Sequence, residues 1–160
     1  MTDEVRPAAA WTEVAAVSGE EAVFSGLVDV IAPSYEGLPA ASTIGVHRHL
    51  VSCLEAAQPG LSQMVVLLLN MYARIERRDA TFVSLSPQER DHVLRNLAEE
   101  DDEQIRDAVD AVLVFTYSGY FSEWSGFDPA TGAVIRPAVW NRMGYRGPSL
   151  GHPVGVHSGD

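Results

Sequence analysis

The chain has 160 residues, 46% of them hydrophobic, and a formal net charge of −11. Such a length and apolar content suit one domain with its own core and exclude a disordered or fibrous chain. The acidic balance argues against nucleic acid, whose phosphates are held by clustered cations, and the single Cys53 excludes an internal disulfide or a cysteine-based zinc site.

All 11 basic residues are arginine, and they are unevenly placed. Residues 1–128 hold 8 Arg against 21 Asp and Glu, a net of −13, whereas residues 129–160 hold 3 Arg against Asp160, a net of +2. The opening MTDEVRPAAAWTE has no basic segment followed by an apolar run, so no export signal is expected. MVVLLL, ending at Asn70, is the longest apolar run and is too short to span a bilayer, so no direct membrane insertion is expected.

Ser18 followed by Glu21 forms a capping box, and Phe24, Leu27, Val28 and Ile31 then recur at helical spacing up to Pro33, predicting a first helix over 19–32. PSYEGLPAAS reads as a loop, after which Ser42 is the expected cap of a second helix reaching Ala57. Its apolar arc is Ile44, His47, Leu50, Val51 and Leu54. Between Ser62 and Arg78 the polar residues form so narrow a stripe that the third helix is expected to be central and buried. Ser86, Pro87 and Glu89 supply the next start signal, for a fourth helix whose narrow stripe of Val93, Leu94 and Leu97 places it near the surface. The acids of EEDDE at 99–103 sit where a fifth helix begins and favour its dipole better than they fit a calcium loop. That helix, over about 102–121, is expected to bury Ile105, Val109, Val112, Leu113 and Thr116. Beyond it no period is sustained, although FDPATGAVI has the look of a turn with a short hairpin. The expected fold is all-α: an N-terminal extension over 1–17, a bundle of about five helices over 18–124, and an irregular C-terminal arm over 125–160.

The search for chemistry returns little. His47 and His49 lie two apart on a predicted helix and point away from each other, so they cannot chelate one ion. No G-x-S-x-G elbow, dinucleotide fingerprint or P-loop is present. The aromatic residues are the positive signal. Eight of 13 fall between 115 and 145, namely Phe115, Tyr117, Tyr120, Phe121, Trp124, Phe127, Trp140 and Tyr145. Phe115, Tyr117 and Phe121 can close the domain's own core. Trp140, Met143 and Tyr145, interleaved with Arg142 and Arg146, are of the types enriched at interface hot spots, and a partner is expected to bury them.

A helix running into FTYSGYFSEW and a later W-x-x-M-G-Y-x-G-P resemble the gluconate 2-dehydrogenase subunit 3 family. FSGLVDVIAPSYEGLPAASTIGVHRHLVSCL is similar to that family's opening and LSPQERDHVL to its middle helix start, so the resemblance runs over about residues 20 to 150. It implies a non-catalytic small subunit that binds and stabilises a large flavoprotein of the glucose-methanol-choline type. In such complexes FAD sits in the large chain, which oxidises a sugar, sugar acid or glycoside, and some complexes add a cytochrome subunit. No cofactor or metal is expected in this chain.

The resemblance carries the docking arm onto Trp140, Met143, Tyr145, Gly147 and Pro148, and the expected partner-binding set adds Tyr120, Phe121, Trp124, Arg142 and Arg146. Many family members begin with a twin-arginine signal, whereas this sequence begins MTDEVRP, so the expectation is a cytoplasmic complex, or a periplasmic one had a leader been removed. Two other readings stay open: a stand-alone helical enzyme with a site around His47, Tyr117 and Tyr120, and a helical adaptor for an unrelated partner.

Overall fold

The computed structural model describes residues 8–128, 131–134 and 136–146, and not the side chains of residues 8–18, 124, 127, 128, 133 and 134. The elements, in chain order, are α1 (Ala8–Ile31), a 3-10 turn (Ala41–Ile44), α2 (Val46–Ala57), α3 (Leu61–Glu76), a 3-10 turn (Phe82–Ser84), α4 (Pro87–Ala98), α5 (Glu103–Phe121), a 3-10 turn (Glu123–Gly126), β1 (Phe127–Asp128), β2 (Ala133–Val134) and α6 (Ala138–Met143). The all-α expectation holds. The hairpin is minimal, with Phe127 opposite Val134 and Asp128 opposite Ala133.

Start signals explain most of the helices. Ser86 accepts the Glu89 N–H and Glu89 accepts the Ser86 N–H, closing the box that opens α4 behind Pro87. Asp102 accepts the N–H groups of Gln104 and Ile105 at the start of α5. α3 has no side-chain cap of its own; the Glu55 carboxylate, reaching from α2, accepts the Gly60 N–H at 3.0 Å and the Ser62 N–H at 3.1 Å.

Two start signals are overridden. Ser18 lies inside α1, because the alanine-rich stretch before it has high helix propensity and nothing there stops the helix. Ser42 does not cap α2; its N–H and hydroxyl both bond the Asp29 carboxylate, at 2.8 and 2.7 Å, and Gly45 at φ 77° turns the chain into α2 instead.

The central helix is α1, which packs on α2, α3, α4 and α5. Its Phe24, Leu27 and Val28 are fully buried beside Leu50 and Leu54 of α2, Leu69 of α3 and Val93 of α4. The expected arc of the second helix is inward-facing at His47, Leu50 and Leu54. In α5, Val109, Val112 and Thr116 are buried, with Ile105 and Leu113 partly so.

The expectation that α3 is central does not hold. It lies at the side of the bundle, packed on α4, α2 and α1, and turns Leu67, Met71 and Ile75 outward, Leu67 and Ile75 each 70% exposed. A narrow polar stripe reports how few polar residues a helix has, and not how many neighbours surround it.

Candidate partner-docking surface

The segment after α5 was expected to be irregular and to need a second chain for burial. Its described part, up to residue 146, instead folds back on its own bundle through α6, which begins behind Pro137 and ends at Gly144, φ 68°. Val139 is fully buried and Trp140 is 9% exposed. The Trp140 indole N–H donates to the Phe121 carbonyl, and the Tyr145 ring meets it edge-on at 5.1 Å. Burial of Trp140 is therefore intramolecular, because a six-residue helix with one apolar side finds a seat against the end of α5.

Tyr120 is likewise turned inward, 3% exposed, and its hydroxyl donates to the Pro39 carbonyl at 2.7 Å. It faces the core because it lies one turn on from Thr116 along the buried side of α5. In the free chain Tyr120 therefore presents almost no surface of its own, contrary to its place in the expected set.

The other described members of the expected set lie outward. Phe121, Met143 and Tyr145 are exposed, as are Arg142 and Arg146. Phe121 stacks on the exposed Tyr117 at 6.2 Å, so α5 ends in an aromatic strip. The side chain of Trp124, together with Gly147 and Pro148, lies outside the described residues.

The structure adds a piece that reading the sequence as a loop missed. Tyr35 and Leu38 exchange backbone hydrogen bonds of 3.2 and 2.8 Å around Glu36 (φ 45°) and Gly37 (φ 87°), a type I′ turn in miniature. Holding a glutamate in the left-handed region costs roughly 1–2 kcal/mol. Arg142 of α6 supports the turn: its Nε donates to the Glu36 carbonyl at 2.7 Å, and its side chain passes so close to Gly37 that a Cβ there would lie 3.2 Å from Nε. The turn displays Tyr35, 65% exposed. Its one sequence signal is the Glu36-Gly37 pair, since glycine supplies the second positive φ.

The residues of the stand-alone enzyme reading do not assemble into a site. His47 faces Glu21 at 3.4 Å, Tyr120 is committed to Pro39, and the Tyr117 hydroxyl makes only a weak 3.5 Å contact with the Ile31 carbonyl. Cys53 Sγ lies 3.5 and 4.0 Å from Nε2 and Nδ1 of His49. Burial pushes the Cys53 thiol up and the His49 imidazole down, which favours two neutral groups. Two open grooves, of about 240 and 260 Å³, are smaller than the roughly 300 Å³ from which enclosing ligand pockets begin. Among the described residues no single helix is long and apolar enough to cross a membrane.

Fold and surface thus define a small, mainly helical protein that exposes aromatic and arginine side chains at the end of α5, on α6 and on the Tyr35 turn, elements that Trp140 and Arg142 tie together. The family model described as gluconate 2-dehydrogenase subunit 3 matches residues 18–143, and the chain belongs to that family. The match spans every helix from within α1 to the last residue of α6. No curated protein and no solved structure matches the chain.

Proposed function

We propose that this chain is the non-catalytic small subunit of an FAD-dependent oxidoreductase acting on a sugar, a sugar acid or a glycoside, and that it binds and stabilises the large catalytic chain. FAD and the reacting substrate belong to that large chain. Membership in a family of dehydrogenase subunits supports the reading. The observation that carries it is the outward presentation of Tyr35, Tyr117, Phe121, Met143 and Tyr145 at one end of the bundle, where burial of apolar rings awaits a second surface. A ligand that binds only the folded large chain raises its stability in proportion to the logarithm of its concentration over Kd. A subunit of this kind therefore works by occupancy, without chemistry of its own.

The test is copurification from the native host on a tag carried by this chain, followed by a visible spectrum. A second, larger chain with flavin absorbance is expected, and its thermal inactivation should be faster once the small chain is removed. Recovery of this chain alone, or of a partner lacking flavin, would overturn the reading.

A further inference from the structure

We infer that the Tyr35 turn is the central anchor of the docking face, and that the surface it meets on the catalytic chain is an apolar recess rimmed by carboxylates. The inference rests on the subunit reading above and names the chemistry of that same contact.

Three observations converge on the turn. First, Tyr35 is the most exposed aromatic side chain among the described residues, and it stands on a backbone that two cross-turn hydrogen bonds and Arg142 hold in place. A rigid aromatic group loses little conformational freedom on binding, which is what an anchor requires. Second, the turn is tied to the rest of the face. Arg142 joins it to α6, and Tyr120 and Tyr117 join its flanks, at Pro39 and Ile31, to α5. Third, arginine outnumbers acid on this face, Arg136, Arg142 and Arg146 against Glu36 of the turn and Glu123 after α5, whereas the chain as a whole is strongly acidic. Residues 131–146 carry Arg136, Arg142 and Arg146 with no acid, in a chain of net −11. Arg142 and Arg136 already donate to the carbonyls of Glu36 and Tyr145, yet keep their full positive charge, and Arg146 is exposed. Guanidinium groups around exposed rings match carboxylates around an apolar recess.

The experiment measures affinity between the purified catalytic chain, recovered with its flavin as above, and variants of this subunit. Tyr35→Ala should weaken binding by about 30-fold or more, the threshold of a hot spot, with an unchanged melting curve because the side chain is exposed. Arg142→Gln, which releases the turn from α6, should weaken it similarly. Leu67→Ala, on the exposed face of α3, should stay within about three-fold of the unaltered protein. Wild-type affinity should fall steeply with salt, and Arg146→Glu should lower both the affinity and that salt dependence.

Full-strength binding by Tyr35→Ala would overturn the anchor and leave the subunit reading standing. Binding insensitive to salt would overturn the carboxylate rim. A chain that recovers no flavoprotein at all would overturn both. Self-association of this subunit that Tyr35→Ala abolishes would assign the face to a second copy and overturn the inference.

Discussion

At the residue scale, a carboxylate and a phenol make the stability of this protein depend on pH in opposite directions. Hydrogen bonds from the Ser62 side chain and from the Gly60 and Ser62 N–H groups hold the Glu55 carboxyl below its usual range. A depressed folded pKa means stability that is present above the unfolded value of about 4.5 and lost as pH falls through the folded one. Glu55→Gln is therefore expected to be less stable than the parent at neutral pH, with the two urea midpoints converging in acid; a gap that persists in acid would contradict this. Tyr72 behaves conversely. Its hydroxyl donates to Glu100, which pushes its pKa up to about 12 from 10.0. The stability from this bond is complete below pH 10 and disappears as pH rises toward 12. The chain has no lysine, and burial raises the Tyr120 phenol as well, so the test compares Tyr72→Phe with the unaltered chain. Tyr72→Phe should lose part of the alkaline drop in stability measured by chemical unfolding, and an unchanged drop would show that the bond does not form in solution.

At the scale of elements, the α2–α5 contact is the most extensive helix pair, and Gly119 makes its close approach possible. A Cβ there would fall 2.5 Å from Cδ2 of His49, whose ring is set between Ser118 and Cys53. Alanine gains about 1 kcal/mol of helix propensity over glycine, whereas overpacking a fitted contact costs about 1–3 kcal/mol. Gly119→Ala is thus expected to be neutral to destabilising by about 2 kcal/mol, and His49→Ala in the same chain should recover most of any loss. Additive losses in that double-mutant cycle would place the cost elsewhere. The two sides of α3 should differ as sharply. Leu69→Ala, in the core, is expected to cost about 2–5 kcal/mol, while Ile75→Ala on the outer face should stay within about 0.5 kcal/mol. Equal costs would mean that the outer face is covered within the monomer.

At the scale of the whole molecule, the seat of α6 decides how the docking face is assembled. Trp140 is buried against the end of α5 and fixes the segment that carries Arg142, Met143 and Tyr145. Loss of a buried Trp side chain costs about 3–5 kcal/mol, more than a six-residue helix can supply alone. Trp140→Ala should release residues 138–146, seen as faster amide hydrogen exchange there in the free subunit, while exchange in α1 and α5 stays slow. Loss of partner binding would follow from that release. Undisturbed protection over 138–146 would show that other contacts hold the arm.

The sequence by itself determined five of the six described helices and most of their limits, but not α6 or the early start of α1. Ser86 with Glu89, Asp102 before Glu103, and the apolar recurrence in α2 and α5 are local devices, each complete within a turn or two of chain. Part of the exposed set was legible as well, since Phe121, Arg142, Met143, Tyr145 and Arg146 do face outward. What the tertiary structure alone decided is which apolar groups find a neighbour in their own chain: Trp140 and Tyr120 do, whereas Leu67 and Ile75 do not. It also decided that Glu36 and Gly37 form a tight turn under Arg142, 106 residues away. Caps and periodicity act between residues a few positions apart, but burial and display depend on elements brought together from distant parts of the chain, and no local pattern records that choice.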